Sequence, residues 1–273
     1  MAKTSPMLCG SFAIHASRIE QMIHNAVYEK QGLHCTHVAF GIADGGEAIA
    51  AIRALGIRGV SLTDHYRTTV ADYLDVVDDD AETLGAVTTI INDDGVLTGC
   101  NLDWLATVQA LDCNNVEISD KRVYVVGAGS AAQAAIYGLK RRNAGAIKVF
   151  NRTPDNAVDL ANTHQVGCGG PLTDMDDEYD ILIHATPAGG LSYPGECVVH
   201  PTCLNPDATI LDLVAEPMPT PLQTRAHAHK CKVVAGYEVR LQLLLEQIKL
   251  YTGEEPSIEF MEQIYLESTW AVL

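Results

Sequence analysis

The stretch Arg122-Val-Tyr-Val-Val126-Gly127-Ala-Gly129-Ser-Ala-Ala-Gln-Ala-Ala-Ile-Tyr-Gly-Leu139 decides the fold. Its first five residues are a short apolar, β-branched run, the pattern of a strand buried on both faces. A turn of small residues follows and opens into a helical pattern. Ala146-Ile-Lys-Val-Phe150 reads as a second strand, ending in Asn151-Arg152-Thr153-Pro154. Strand, glycine-rich turn, helix and strand within about 30 residues make a βαβ unit. Further strands are expected at 180–184, 209–214 and 232–235, with helices over 155–164 and 220–229. This alternation predicts an α/β fold with a Rossmann-type doubly wound parallel sheet over 104–236.

The first hundred residues carry an alternation of their own. A helix is expected at 17–31, a strand at 34–40, a helix at 45–55 and a short strand at 59–63. Segments 86–92 and 96–97 read as a hairpin around Asp94-Gly95. Together they predict a second α/β domain. The C-terminal stretches 237–251 and 258–270 read as helices with no strand after them. Such helices must bury an apolar face, most simply against the N-terminal domain.

The 273 residues allow two domains, each large enough for its own core. Acidic residues outnumber basic ones, 35 against 18, for a formal charge of −17. That balance argues against nucleic acid and against an anionic membrane surface as partners. No apolar run approaches the roughly 20 residues of a membrane span. Met1 to Cys9 has one Lys and no long apolar core after it, so no signal peptide is expected and a soluble, cytoplasmic protein is. The eight cysteines form no C-x-x-C and are expected to be reduced thiols. No metal is expected: the closest histidine pairs, His34/His37 and His227/His229, lack ligand partners at zinc-site spacing. The acidic clusters at 78–80 and 174–180 lack the spacing of a calcium loop and read as helix caps or solvated surface.

The chemistry of the Gly127–Ala131 turn is backbone chemistry. Gly127 permits a tight turn, and Gly129 lets the main chain approach a pyrophosphate. Ala131 and Ala132 let the helix pack closely, its positive end aimed at the phosphates. An NAD-selective site usually places Asp or Glu after the second strand, to accept from the ribose 2′-hydroxyl. Here Asn151, Arg152 and Thr153 stand there, a set that welcomes a 2′-phosphate, and NADP is expected over NAD. The same residues also suit a plain helix start, with Thr153 as N-cap and Pro154 at the first helical position.

These motifs, in this order, resemble the shikimate dehydrogenase family. The resemblance runs through Gly85-Ala-Val-Thr-Thr, Gly99-Cys-Asn-Leu-Asp103, G-A-G-S-A-A-Q-A, N-R-T and His184-Ala-Thr-Pro-Ala-Gly. It continues through Val214-Ala-Glu-Pro217-Met-Pro-Thr220-Pro221-Leu, Gly236 and Tyr251-Thr-Gly253. It implies a discontinuous substrate domain, 1–103 plus 237–273, facing an NADP-binding domain, 104–236, across a cleft. It implies cofactor contacts at Gly127, Ala128, Gly129, Ser130, Ala131, Asn151, Arg152, Thr153, Thr186, Leu213 and Gly236. The substrate residues are largely rewritten. The family's catalytic Lys is Arg67, the Pro before it is His65, and the paired Asp is kept as Asp103. The family's V-T motif retains Thr63, while the Asn of G-A-V-N-T is Thr88. The family's S-x-S-P-x-x-H-N ends here in His24-Asn25. Counting back puts Arg18 and Glu20 at the serine positions, or Ser17 if the chain carries an indel. The family's substrate Tyr is Ala215, as in its shikimate dehydrogenase-like subgroup, and a C-terminal Gln is Leu243 with Gln242 one place earlier.

A Lys beside an Asp can exchange a proton with a developing alkoxide; an Arg effectively cannot. Arg67 is expected to hold a substrate oxygen electrostatically, leaving proton transfer to Asp103, His65, Tyr66 or water. Arg18 reads either as a carboxylate anchor or as a surface arginine. The expectation is an NADP(H)-dependent oxidoreductase acting on a hydroxyl or ketone of a small hydroxy acid or polyol, as monomer or homodimer. The substrate-binding residues expected are Arg18, Thr63, Thr88 and Gln242. The alternatives are a slow shikimate or quinate dehydrogenase and a silent NADP-binding regulator.

Overall fold

The computed structural model describes residues 6–13 and 18–270. The chain divides into two units, residues 1–102 with 243–273 and residues 103–242. The first unit runs β1 (Met7–Phe12), α1 (Arg18–Lys30), β2 (Cys35–Phe40), α2 (Gly45–Leu55), β3 (Gly59–Leu62), α3 (Asp64–Arg67), β4 (Val76–Val77), α4 (Asp79–Leu84), β5 (Thr89–Asp93) and β6 (Val96–Cys100). Among the described residues these strands form one mixed sheet in the order β2-β1-β3-β5-β6-β4. The expected hairpin is β5–β6, and its turn places Asp94 and Gly95 at positive φ, 52° and 98°, as a tight hairpin turn requires. Asp78 accepts from the Ala81 N–H and caps α4, so the acidic run at 78–80 is a helix start.

Strand β1 has no counterpart in the sequence reading, since Met-Leu-Cys-Gly-Ser-Phe shows no alternation. Its neighbours make it a strand. It pairs in parallel with both β2 and β3. A Cβ on Gly10 would come within 2.6 Å of the Phe40 ring, so the missing side chain is what seats Phe40 over the strand.

The second unit runs α5 (Asp103–Cys113), β7 (Arg122–Val126), α6 (Ser130–Arg141), β8 (Ala146–Phe150), α7 (Pro154–His164), β9 (Gly167–Gly170), β10 (Ile181–His184), β11 (Thr209–Asp212), α8 (Pro221–Ala228), β12 (Lys232–Ala235) and the start of α9 (Gly236–Thr252). Helix α9 carries the chain back into the first unit, which ends with α10 (Ile258–Trp270). The sheet order is β12-β11-β10-β7-β8-β9, and every pair is parallel. Side chains alternate between two apolar layers. Val123 and Val125 face one with Ile136 and Leu139 of α6, and Tyr124 and Val126 face the other with Leu222 of α8. Burial on both faces is why β7, β10 and β11 read as largely apolar runs. The order reverses between β7 and β10. In open parallel sheets, ligands bind at the carboxyl ends of the strands at such a switch point. No helix among the described residues is long and apolar enough to cross a membrane.

Candidate functional site

At the carboxyl ends of β7, β8 and β10 lies a pocket of about 340 Å³. Gly127 makes its floor possible: its φ is +125°, and a Cβ there would meet the Ala185 carbonyl oxygen at 2.5 Å. Gly129 is different. Its φ of −94° suits any residue, and a Cβ would meet nothing within 4 Å. The glycine therefore leaves open space directly before α6, a helix whose N-terminus no side chain caps. Unpaired N–H groups and the positive end of a helix dipole at an open space make an anion site. A dinucleotide pyrophosphate fits this arrangement, and any side chain at 129 would fill it.

Six of the expected cofactor residues line the pocket: Gly127, Ala128, Gly129, Asn151, Arg152 and Thr186. Arg152 is exposed and makes no ion pair among the described residues, so its charge is available at the end of β8. Asn151 donates to the Thr153 carbonyl at 3.0 Å, which folds this loop over itself. Ser130, Ala131, Thr153, Leu213 and Gly236 do not line the pocket. Ser130 and Ala131 open α6, and Leu213 packs against the apolar layer under the sheet. Thr153 holds the N-cap position of α7 with Pro154 at the first turn, yet its side chain makes no cap bond. Gly236 is needed for packing, because a Cβ there would meet Val214 backbone atoms at 2.5 Å. The sequence reading missed Tyr193 and Glu196, which line the pocket from a segment without regular structure.

Beneath Thr186 runs a buried polar chain. His184, 1% exposed, meets Asp212, fully buried, through Nδ1 at 2.8 Å, and meets the Thr186 hydroxyl through Nε2 at 2.5 Å. Asp212 also accepts from Thr220 Oγ1 at 2.5 Å, Val214 N at 3.2 Å and Gln223 Nε2 at 3.3 Å. Thr220 and Gln223 form the capping box of α8, so the start of that helix is tied to the same carboxylate.

In the first unit, Thr63, Arg67 and Thr88 gather at one end of β3. Thr63 donates to the Phe12 carbonyl at 3.3 Å. Arg67, half-buried, donates from Nε to the Leu62 carbonyl at 3.2 Å, and its own carbonyl accepts from Val87 N at 2.8 Å. Thr88 is buried, with its hydroxyl donating to the Cys100 carbonyl and accepting from Leu102 N at 2.9 Å. The side chain of His65 lies outside the described residues, as does Ser17. Arg18 opens α1 and is exposed. Asp103 opens α5, where its carbonyl accepts from Thr107. Gln242 is buried in the second unit and donates to Cys113 Sγ at 3.3 Å, a packing contact rather than an open binding position.

Strand register assembles a polar layer that the sequence did not reveal. Ser11, Ser61 and Thr89 sit side by side across β1, β3 and β5. Ser61 donates to Glu20 of α1 at 3.3 Å, and Gln247 of α9 donates to Thr89 at 3.2 Å. Glu20 therefore points toward this polar row. Beside this row, His24 and His37 stack with ring centroids 4.1 Å apart, both fully buried. Desolvation holds both imidazoles below the ordinary histidine range, His37 down to about 4 and His24 well below its ordinary value, with His37 beside it adding to the effect. Burial pushes the Tyr251 and Tyr28 hydroxyls up. Among the described residues no cluster of His, Cys, Asp and Glu is arranged to hold a metal.

The family profile for the shikimate dehydrogenase substrate binding domain matches residues 14–90, and that for shikimate / quinate 5-dehydrogenase matches residues 110–197. A shikimate dehydrogenase (NADP(+)) of Pyrococcus abyssi is 33% identical over 253 residues, covering 91% of this chain and 93% of its own. A crystal structure of a shikimate dehydrogenase in complex with NADP+ superposes with a TM-score of 0.90 at 30% identity, covering 98% of each chain. A quinate dehydrogenase from Corynebacterium glutamicum in complex with NAD superposes with a TM-score of 0.87 at 25% identity, covering 96% of this chain and 99% of that one.

Proposed function

Because the chain belongs to the shikimate dehydrogenase family, we propose that it is an NADP(H)-dependent oxidoreductase acting on a hydroxyl or ketone of a small hydroxy acid or polyol. The observation that carries this reading is the pocket itself: an open Gly129 before the uncapped α6, with Asn151 and Arg152 at the end of β8. Bound NADP(H) supplies or accepts the hydride. The first turn of α6 holds the pyrophosphate, and the Arg152 guanidinium holds the 2′-phosphate by charge-assisted hydrogen bonds. Asp103 carries or orients the proton, and Arg67 holds the substrate oxygen.

Cofactor choice is the direct consequence. NADP is expected to bind at least about tenfold tighter than NAD, about 1.4 kcal/mol. Arg152→Ala should weaken NADP toward the NAD value and leave NAD nearly unchanged. Calorimetric titration of both nucleotides checks this, and equal or preferred NAD binding would mean that Arg152 does not read the phosphate.

The substrate differs from shikimate. Glu20 brings a carboxylate to the polar layer of the first unit, and Thr88 gives its hydroxyl proton to the Cys100 carbonyl, leaving none to donate to a substrate. A carboxylate facing an acid substrate repels it, whereas it accepts well from the hydroxyls of a neutral polyol. A screen of hydroxy acids and polyols with NADP, followed by absorbance of the reduced cofactor, is expected to find turnover. A kcat/KM for shikimate above about 10⁴ M⁻¹s⁻¹ would refute the altered-substrate reading. One observation favours a second reading, a silent NADP binder: Arg67 cannot shed a proton. NADP binding with no turnover across the screen would make that the better account.

A further inference from the structure

Thr186 lies after β10, and the buried Asp212–His184 pair controls which way its hydroxyl proton points. A carboxylate only accepts hydrogen bonds, so Asp212 takes the Nδ1 proton of His184. With the ring in its neutral form, Nε2 is an acceptor, and the one proton that can then fill the 2.5 Å contact belongs to Thr186. Thr186 Oγ1 also accepts from Ala188 N at 3.3 Å. A hydroxyl oxygen has two acceptor positions, so one is left for the pocket that Thr186 lines. Thr186 thus meets a ligand as an acceptor.

An ionised phosphate offers no proton, so Thr186 cannot be a phosphate contact. Sheet order gives the rest. Arg152 follows β8, the Gly127–Gly129 turn follows β7, and Thr186 follows β10, on the far side of β7 from β8. A dinucleotide with its 2′-phosphate at β8 and its pyrophosphate at β7 brings its nicotinamide half to β10. That half carries proton donors, the carboxamide N–H and the ribose O–H groups.

We propose that Asp212 and His184 are positioning residues that hold Thr186 as the hydrogen-bond acceptor for a donor on the nicotinamide half of the dinucleotide. This rests on the dinucleotide reading of the pocket. The unit is rigid because Asp212 is held by Thr220 and Gln223 at the start of α8 as well as by His184. The Thr186 hydroxyl is turned before the ligand arrives, so the contact costs no reorganisation on binding.

Equilibrium binding tests it with no substrate. Two ligands are titrated into the full chain, NADP and adenosine 2′,5′-bisphosphate, which keeps the adenosine half and lacks nicotinamide. Thr186→Val replaces the hydroxyl by a methyl of similar shape. It is expected to weaken NADP about five- to tenfold and leave the bisphosphate unchanged. Thr186→Ser should restore NADP binding. His184→Phe should give the same selective loss, and the double variant should bind NADP no more weakly than Thr186→Val. Should His184→Phe fail to fold, His184→Gln serves, and the Thr186 arm stands without either. The acetylpyridine analogue of NADP, whose carboxamide N–H₂ is replaced by methyl, separates the donors. If Thr186→Val does not weaken this analogue, the donor is the carboxamide; if it weakens it as it weakens NADP, the donor is the ribose. Unchanged NADP affinity in Thr186→Val, equal losses for both ligands, or a His184 variant of wild-type affinity would overturn the proposal. Failure of the unaltered protein to bind the bisphosphate would instead overturn the dinucleotide reading beneath it.

Discussion

Asp103→Asn is expected to lower kcat by about 10²–10⁴-fold on whichever substrate the screen identifies, with NADP affinity unchanged. Asn keeps the shape and the polar atoms at the start of α5 but can neither take up nor release a proton. NADP binding should be untouched because Asp103 does not line the dinucleotide pocket. Arg67→Lys gives the complementary expectation. Arg67 is fixed along one edge by the Nε contact to the Leu62 carbonyl, and its backbone is tied to Val87. A lysine cannot make the Nε contact while presenting a planar fork, so activity should fall even though a group able to shed a proton has been restored. Steady-state kinetics with both variants, alongside NADP titration, checks the pair. Wild-type turnover in Asp103→Asn would remove Asp103 from the reaction, and increased turnover in Arg67→Lys would mean that Arg67 is a lesion rather than an anchor.

How much of this was legible in the sequence depended on how local the physics is. The βαβ unit was plain because β7 is buried on both faces beyond Arg122 and reads as an apolar run. Strand β8, interrupted only by the exposed Lys148, follows the glycine turn and its helix at βαβ spacing. The glycine turn was plain because its geometry belongs to consecutive backbone groups, Gly127 to Ser130. Strand β9, Gly-Cys-Gly-Gly, escaped because it has almost no side chains to show a pattern, and β1 escaped because neighbouring strands make it one. Helix α5, which carries Asp103, is buried over Ala106, Thr107, Val108, Ala110 and Leu111, a broad face with little periodicity to read. Sites built across strands were the least visible. His184 and Asp212 lie 28 positions apart and meet only because β10 and β11 pair in register. Ser11, Ser61 and Thr89 form a row for the same reason. Glu20 and Gln247 could be counted in the sequence, but only the helices that bring them to that row say what they face.

The His24–His37 stack should make the first unit fail in mild acid. Both imidazoles are fully buried, and His37 Nδ1 and Nε2 and His24 Nε2 find no hydrogen-bond partner among the described residues. Tyr28, Tyr251, Cys9 and Cys35 surround them, Gln247 reaches toward His24, and Glu20, one turn before His24 on α1, is held by Ser61. Desolvation lowers the folded-state pKa of His37 from 6.5 to about 4, so the unfolded chain takes up its proton first as pH falls. The stability contributed by the neutral ring is complete above pH 6.5 and is lost as pH falls toward 4. His37 alone accounts for about 3 kcal/mol over that window. His37→Phe tests this cleanly, since the new ring keeps the stack with His24 and removes two unpartnered nitrogens and the titration together. Replacing unpaired buried polar atoms by apolar ones of the same shape is near neutral or stabilising, so the variant should be no less stable than wild type at pH 7.5. Its advantage should widen by about 2.5 kcal/mol between pH 7.5 and pH 4.5, read from urea unfolding with hydrogen exchange of the β1 and β2 amides. Carboxylates elsewhere titrate in both proteins and cancel in that difference. Parallel stability curves across the window would show that His37 is not desolvated in solution, and that water or a bound group reaches the nitrogens left unpaired beside the hydroxyl row.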